Sequence, residues 1–171
     1  MMNLKHVVIT SVNRDELPDG GAGIWAETIR QIRAQSPGTN VEVLIPDFKG
    51  NQAAQDAIFA ARPEVLNHNM ETVRALYHRV RPQAQYQRSL DLIRRAKFAG
   101  LVAKSGIMLG LGEEDEQVAE LLTDLYRHGC DIVTIGQYLR PSEKHHPVVR
   151  YVPPSEFDRW REFGLALGLR T

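Results

Sequence analysis

The chain has 171 residues, of which 43% are hydrophobic and 25% charged, an ordinary balance for a folded domain. Lysine plus arginine and aspartate plus glutamate each number 21, so the net charge is zero, and composition gives no electrostatic case for nucleic acid or a membrane as the main partner. The length predicts a single domain over residues 1–171. One cysteine excludes an internal disulfide framework and fits a reducing compartment, so we expect the protein in the cytoplasm.

Apolar runs and helical patterns alternate along the chain. Short runs rich in β-branched residues predict strands at residues 7–12, 41–46, 64–69, 101–109 and 131–138. Amphipathic patterns predict helices at residues 22–34, 52–61, 86–99, 114–128 and 155–167. This alternation indicates a parallel α/β sheet with crossover helices. A closed barrel of eight units needs about 200–250 residues, so five or six units predict an incomplete, partial (βα) TIM-type barrel.

Several local features refine this prediction. The first helix is expected to bury one face that carries Ile24, Trp25, Ile29 and Ile32. Residues 155–158 come close to a capping box at the start of the last helix. The first strand begins almost at the initiator methionine with no helix before it. We therefore expect its edge to be exposed and the isolated chain to be poorly soluble.

Ligands of parallel α/β folds bind at the C-terminal ends of strands. After the first strand, Thr10, Ser11, Asn13 and Asp15 gather hydroxyl, amide and carboxylate groups. These groups suit the ammonium and carboxylate of a small ligand. The alternative is a polar turn in which Asp19 caps the following helix.

Amides and a carboxylate also follow the third strand. Asn67, Asn69 and Glu71 suit ribose hydroxyls or an amino group, and a structural polar network is an equal alternative. His68 is more typical of a structural histidine than of a metal ligand, because no other ligand stands at the right spacing.

The fourth strand contains a lysine and ends in a glycine turn. Lys104 lies in an apolar run, which predicts pairing with a carboxylate or, less commonly, a Schiff-base nucleophile of an aldolase-type barrel. Gly110, Gly112 and Glu113 place backbone amides at a helix start, which favours an anion or adenosine site. An ordinary tight connection is the alternative.

The segment after the fifth strand begins with Gln137 and continues into a basic loop, residues 140–146. Arg140, Lys144, His145 and His146 make it suitable for an acidic protein or a carboxylate, or simply a solvated loop. Cys130 precedes that strand on the opposite face. We expect it to be a small buried hydrophobic residue and not a nucleophile.

Taken together and in order, six runs of this sequence resemble lipoyl synthase, a family of radical S-adenosylmethionine enzymes. They lie at residues 7–22, 41–48, 67–73, 79–97, 104–113 and 129–151. The resemblance implies a partial barrel of six βα units, of which this chain supplies the part from the second strand onward. It also implies that one 4Fe–4S cluster cleaves S-adenosylmethionine to a 5′-deoxyadenosyl radical, with electrons from a donor such as ferredoxin or flavodoxin. The radical attacks an octanoyl chain on a lipoyl carrier domain, and an auxiliary 4Fe–4S cluster donates two sulfur atoms.

The resemblance implies cofactor-binding roles for the matching residues. Those expected near the methionine end of S-adenosylmethionine are Thr10, Ser11, Asn13 and Asp15. Those expected near its ribose and amino groups are Asn67, Asn69 and Glu71, and those bordering its adenosine are Gly110, Gly112 and Glu113. Arg88 and Ser89 are expected at the cofactor carboxylate or the auxiliary-cluster region. Lys104 and Gln137 are also expected to bind the cofactor.

The cysteines of the family are missing from this sequence. The motif C-x-x-x-C-x-x-C belongs before the first strand, the auxiliary-cluster cysteines lie further upstream, and an Arg-Ser-Ser-Tyr segment belongs after the last helix. Clusters need thiolate ligands, and the chain has only Cys130. We therefore expect neither cluster, no metal ligand and no turnover from this chain alone. The alternative is a non-catalytic module that binds S-adenosylmethionine or a lipoyl carrier domain.

Overall fold

The strands form one parallel sheet in the computed structural model, which describes residues 4–170. They are β1 (His6–Thr10), β2 (Asn40–Leu44), β3 (Val65–Asn67), β4 (Val102–Leu109) and β5 (Ile132–Gln137). Their spatial order follows the chain, β1-β2-β3-β4-β5. A doubly wound sheet would reverse this order at a switch point, so the sequential order indicates barrel-type winding. Within the described residues β1 and β5 are the two outer strands, and the sheet is open.

Helices connect the strands at the predicted places. They are α1 (Ala22–Gln35), α2 (Gln52–Ala61), α3 (Tyr77–Val80), α4 (Tyr86–Phe98), α5 (Asp115–Arg127) and α6 (Pro154–Leu167). Short 3₁₀ turns lie at Phe48–Gly50 and Arg74–Leu76. The sequence pattern predicts all of the longer helices to within about two residues but does not predict α3. No helix within residues 4–170 has both the length and the apolar character needed to cross a membrane.

Two apolar clusters lie between the sheet and its helices. One joins α1 and α2 to β2 and β3, and the other joins α5 and α6 to β4 and β5. Helix α4 belongs to both, because Leu90 and Ile93 pack in the second cluster and Leu92 and Ala96 in the first. Alternate strand residues face away from the helices. That opposite face, which we call the polar face, carries the polar side chains of Glu42, Asn67, Lys104 and Thr134.

Two details of the helix predictions are wrong. Ile24 is 58% exposed, and the buried face of α1 carries Ala22, Trp25, Ala26 and Ile29 instead. Helix α6 begins at Pro154 without a side-chain cap, whereas a capping box is present at the start of α5. Proline at the first position sets the helical φ itself, so α6 starts one residue earlier than the serine suggests.

The exposed edge predicted for the first strand is confirmed. Strand β1 pairs only with β2 among the described residues, and Val8 is 54% exposed. At the other side of the sheet, Arg170 forms a parallel bridge with Ile132. Its amide donates to Asp131 at 2.7 Å, and its carbonyl accepts from Val133 at 3.0 Å. The consequence for solubility remains a prediction.

Candidate functional site

A cavity of about 440 Å³ opens at the C-terminal ends of β1, β2 and β3. We call it the strand-end pocket. Seven residues of the predicted cofactor-binding set line it, namely Thr10, Ser11, Asn13, Asp15, Asn69, Glu71 and Arg88. Three successive strand ends meet there because all strands are parallel, so polar groups far apart in sequence lie together.

The first wall of the pocket is the segment after β1. Asp15 forms an ion pair with Lys49 at 3.2 Å, which joins this segment to the turn after β2. Asp19 lies further on and caps α1, accepting from the amides of Gly21 at 2.9 Å and Gly23 at 2.8 Å. These amide hydrogen bonds lower the pKa of Asp19. Asp19 thus binds amides at the start of α1 as predicted, although the N-cap residue itself is Gly21. Thr10, Ser11, Asn13 and Asp15 line the pocket.

The second wall combines the turn after β2 with helix α4. Arg88 Nε donates to Asp47 Oδ2 at 2.6 Å, and both side chains are mostly buried. Asp47 Oδ1 accepts from the amide of Lys49 at 2.9 Å, which fixes the turn. The pocket therefore has an arginine–carboxylate pair held in place on one side.

The third wall is the segment after β3. Glu71 has a positive φ of 66° and is bridged to β4, with its amide donating to Gly106 O at 2.9 Å and its carbonyl accepting from Met108 N at 2.8 Å. Gly106 also allows the Asn69 side chain to approach the sheet, because a Cβ there would lie 2.7 Å from Asn69 Oδ1. These contacts place Asn69 and Glu71 at the pocket.

At the floor of this pocket lies a connected set of buried polar side chains, of which His68 lines the cavity. His68 Nε2 lies 2.9 Å from Ser89 Oγ, which lies 2.8 Å from the Tyr77 hydroxyl. Arg81 donates to that hydroxyl at 2.6 Å and lines the cavity itself. Ser89 is fully buried, so it is placed behind the pocket and does not face it.

Lys104 and Asn67 lie on the polar face of the sheet and do not line the pocket. Lys104 Nζ donates to Glu42 Oε1 at 2.9 Å, and Asn67 Nδ2 donates to the same oxygen at 3.2 Å. The predicted pairing of Lys104 with a carboxylate is therefore confirmed. The isolated buried lysine that suggested a Schiff-base aldolase is not present.

Four other predicted residues lie at the ends of β4 and β5, away from the pocket. Glu113 accepts from the amides of Gly110 at 2.7 Å and Leu111 at 2.8 Å, so the turn's own carboxylate occupies these donors. Gly112 lies in the same turn with a φ of +99°. Gln137 binds the backbone of residues 147–153, which we call the arm. Its Nε2 donates to Arg150 O at 3.2 Å, and its Oε1 accepts from Val152 N at 2.8 Å.

The basic loop is curled by its own hydrogen bonds. Arg140 donates to the carbonyls of His145 and Glu143, and His146 Nε2 lies 2.8 Å from Leu111 O. Lys144 and His145 remain exposed. The guanidinium of Arg140 thus donates to carbonyls of its own loop. Among the basic side chains of this loop, exposed Lys144 is the cation most available to a partner.

Comparison with known proteins places this geometry in a family. The model of the Radical SAM superfamily matches residues 1–125. The chain belongs to the Radical SAM superfamily. A lipoyl synthase from Chlorobaculum parvum is 58% identical over 170 residues, which cover 99% of this chain and 58% of the relative. The resemblance to lipoyl synthase is confirmed, and the chain spans about 58% of the length of that relative.

Solved structures share the fold. Methylornithine synthase PylB superposes with a TM-score of 0.71 at 18% identity, over 98% of this chain and 48% of that chain. SuiB from Streptococcus suis, bound to S-adenosylmethionine, gives a TM-score of 0.69 at 10% identity, over 92% and 35%. At such identities the likeness shows the fold alone. Together with the open parallel sheet, it confirms the predicted partial barrel.

The radical SAM family implies an iron–sulfur cluster, and the donors described here do not fit one. Cys130 is 5% exposed, donates to Ile132 O at 3.2 Å, and has a pKa raised to about 12 by burial. No group of three or more histidine, cysteine, aspartate or glutamate side chains within residues 4–170 is placed to hold a metal. The predicted burial of Cys130 is confirmed, and its raised pKa disfavours the thiolate that a nucleophile or cluster ligand needs.

Sequence reasoning missed several residues that line the strand-end pocket, notably Asp47, Lys49 and Arg81. Asp47 and Lys49 follow the second strand directly, so applying the strand-end rule to β2 would have found them. Arg81 follows no strand. It reaches the pocket from the end of α3, a helix that the sequence pattern does not predict.

Proposed function

We propose that this chain forms the S-adenosylmethionine-binding part of a lipoyl synthase, which inserts two sulfur atoms into a protein-bound octanoyl chain. The observation that carries the proposal is the convergence of seven predicted residues on one pocket at the ends of β1, β2 and β3. The high identity to a lipoyl synthase supports the choice of reaction within the superfamily.

The charges of the pocket match those of the cofactor. S-adenosylmethionine carries a sulfonium, an ammonium and a carboxylate, and the pocket offers both signs. Its anionic side chains are Asp15, Asp47 and Glu71, and its cationic ones are Lys49, Arg81 and Arg88. We infer that the segment after β1 meets the methionine end, that Asn69 and Glu71 meet the ribose and amino groups, and that Arg88 meets the carboxylate.

The remaining predicted residues shape the site from outside the pocket in this proposal. Ser89 lies behind it, and Asn67 and Lys104 lie on the polar face of the sheet. Gly110, Gly112, Glu113 and Gln137 hold the rim formed by β4, β5 and the arm. When bound beside a reduced cluster, S-adenosylmethionine supplies the radical chemistry of the family. This chain's own residues bind and orient it.

Neither 4Fe–4S cluster is proposed to reside on this chain alone, because one buried thiol cannot supply conventional ligation. No step through a cluster is assigned to it. An anaerobic assay of this chain for lipoyl product tests whether it lacks the clusters, and turnover by the chain alone would contradict that part of the proposal. The partners proposed for the active assembly are an octanoylated lipoyl carrier domain and a ferredoxin or flavodoxin. The proposed setting is a single core domain in the cytoplasm.

Calorimetric titration of the full chain with S-adenosylmethionine tests the binding proposal. We expect saturable binding, and we expect Glu71→Gln to weaken it about tenfold because a charged hydrogen bond to the ligand is lost. Glu162→Gln is the matched control, since Glu162 is exposed on α6 and lies outside the pocket. Absent binding, or equal affinities for the two variants, would contradict the proposal.

A second candidate function is a non-catalytic module that docks a lipoyl carrier domain. The exposed Lys144 and His145 of the basic loop favour it, since they suit an acidic partner. Titration with an acidic carrier domain at low and high salt separates this function from cofactor binding. Salt-sensitive binding that Lys144→Gln weakens would support it.

A further inference from the structure

Three buried polar side chains lie at the floor of the strand-end pocket, and one of them, His68, lines it. His68, Tyr77 and Ser89 are 2%, 4% and 0% exposed, and they come from the segment after β3, from α3 and from α4. Buried polar groups need hydrogen-bond partners, and these three find one another. With Arg81 they form what we call the buried hydroxyl chain, defined by Arg81, Tyr77, Ser89 and His68.

The donor and the acceptor of each hydrogen bond in the buried hydroxyl chain can be assigned. His68 Nδ1 lies 2.8 Å from Ile45 O, and a carbonyl only accepts, so Nδ1 carries the hydrogen. Burial, the largest cause, lowers the pKa of His68 to about 4, as do the charges of Arg81 and Arg88 against the opposing effect of Asp47. The ring is therefore neutral, and Nε2 accepts from the Ser89 hydroxyl.

The remaining donors follow in turn. Since the Ser89 hydrogen points to His68, the Tyr77 hydroxyl must donate to Ser89 Oγ. The Tyr77 oxygen then accepts from Arg81 Nη1 at 2.6 Å. The polarity thus runs from the Arg81 cation through two hydroxyls to the imidazole and ends on Ile45 O. Reversing one member would leave two donors, or two acceptors, facing each other.

Both ends of the buried hydroxyl chain contact walls of the pocket. Ile45 precedes Asp47 on the second wall, and His68 precedes Asn69 on the third. Arg81 Nη1 donates to Asn69 O at 2.9 Å as well as to Tyr77, so the same guanidinium that lines the pocket holds the third wall. The hydroxyls therefore join the second wall, the third wall and Arg81 across the pocket floor.

We propose that Tyr77 and Ser89 are positioning residues whose hydroxyls orient the neutral His68 ring through its Nε2 and hold residues 45–47, residues 69–71 and Arg81 in one binding-competent arrangement. The functional part rests on the proposal above that S-adenosylmethionine binds in this pocket. Neither hydroxyl touches the ligand. Both act through the groups that do.

Two variants and one matched control test this role. Tyr77→Phe removes a single oxygen and keeps the ring, which packs edge-on against Tyr86 at 5.3 Å. Ser89→Ala removes the adjacent hydroxyl. Tyr138→Phe is the control, because Tyr138 is 6% exposed and its hydroxyl donates to His146 O at 2.7 Å, outside the pocket. Tyr77→Phe retains the fold's apolar packing even if Ser89→Ala does not fold.

The readouts are the ¹⁵N shifts of His68, assigned by their loss in His68→Asn, and calorimetric affinity for S-adenosylmethionine. We expect the Nδ1–H tautomer in the unsubstituted protein and in all variants that keep His68, because Ile45 O accepts from Nδ1. In Ser89→Ala we expect the Nε2 resonance to shift, because Nε2 loses its hydrogen bond from Ser89, whereas Tyr138→Phe should leave it unchanged. We expect Tyr77→Phe to bind S-adenosylmethionine about tenfold more weakly, with Tyr138→Phe unchanged. An Nε2–H tautomer in the unsubstituted chain, or unchanged affinity in both test variants, would overturn the proposal.

Hydrogen exchange distinguishes failure of this inference from failure of the proposed function. If the unsubstituted chain binds no S-adenosylmethionine, the proposed function fails, and the positioning role is read from the Glu71 amide, which donates to Gly106 O. Tyr77→Phe should speed its exchange about tenfold relative to Tyr138→Phe. Equal exchange rates of the Glu71 amide in the two variants would show that the Tyr77 hydroxyl does not position the third wall.

Discussion

His68 makes the stability of the fold depend on pH. Its pKa falls from the ordinary 6.5 to about 4, chiefly because burial disfavours the charged ring. The unfolded chain therefore binds a proton that the folded chain does not. This contribution to stability is complete above pH 6.5 and is lost as the pH falls from 6.5 to about 4, reaching about 3 kcal/mol in total.

Urea unfolding at pH 7.5 and pH 5 measures this effect. Between these values we expect the unsubstituted chain to lose about 2 kcal/mol more unfolding free energy than His68→Asn. The comparison uses the difference between the two pH values, so a constant cost of the substitution cancels. The other histidines are common to both chains. Parallel pH profiles would mean that His68 titrates normally.

Residue types at strand ends predict the candidate site only in part. The pairing of Lys104 follows from the rule that a buried charge needs a partner, although the sequence does not say that the partner is Glu42, 62 residues away. Glu113 and Gln137 have polar side chains that suit a ligand, yet they bind backbone groups of their own turn and of the arm. Only coordinates distinguish these uses, because both need the same residue types.

At the scale of elements, boundaries predicted from local pattern agree with the structure where a stop signal is present. Gly129 and Gly168 follow α5 and α6 with φ of +79° and +105°, and glycine in this left-handed conformation commonly ends a helix. The segment before α3 has no such local signal. Its Arg74 binds Glu120 at 3.1 Å and Asp124 at 2.9 Å on α5. Because these contacts are tertiary, no window of sequence contains them, and Arg81 at the end of α3 is missed with them.

The turn after β4 sets the position of the arm, and Gly110 is its critical residue. Its φ is +99°, its carbonyl accepts from Val149 N at 2.8 Å, and a Cβ would lie 2.5 Å from Arg150 O. Because backbone cannot move aside cheaply, we expect Gly110→Ala to cost about 2 kcal/mol or more and to loosen the arm. Urea unfolding and limited proteolysis within residues 140–153 measure the two effects.

Gly136→Ala is the control for that substitution. Gly136 lies in β5, and a Cβ there would meet no atom within 4 Å. It should change stability by less than about 1 kcal/mol and leave the arm's cleavage rate unaltered. Similar losses for both alanines would show that general loss of glycine, and not the close approach to Arg150, decides the outcome.

At the scale of the whole molecule, the count of βα units predicts an open barrel, and the structure has one. The open sheet leaves two features outside its helical cover: the polar face, and the edge of β1 that has no strand partner within residues 4–170. Helices pack on the other face through two apolar clusters. The apolar packing of the described residues therefore lies on the helical face, and we expect any self-association to occur at β1.

The exposed edge of β1 predicts self-association through strand pairing. Val8 is 54% exposed on the polar face and lies in register with Glu42, so a lysine there gains an opposite charge nearby and disfavours edge-to-edge pairing. Val149→Lys is the matched control, because Val149 is 56% exposed and adds the same charge on the arm. Light scattering across a concentration series should show Val8→Lys remaining monomeric at concentrations where the unsubstituted chain and Val149→Lys associate. If both lysines improve solubility equally, net charge and not the strand edge governs association.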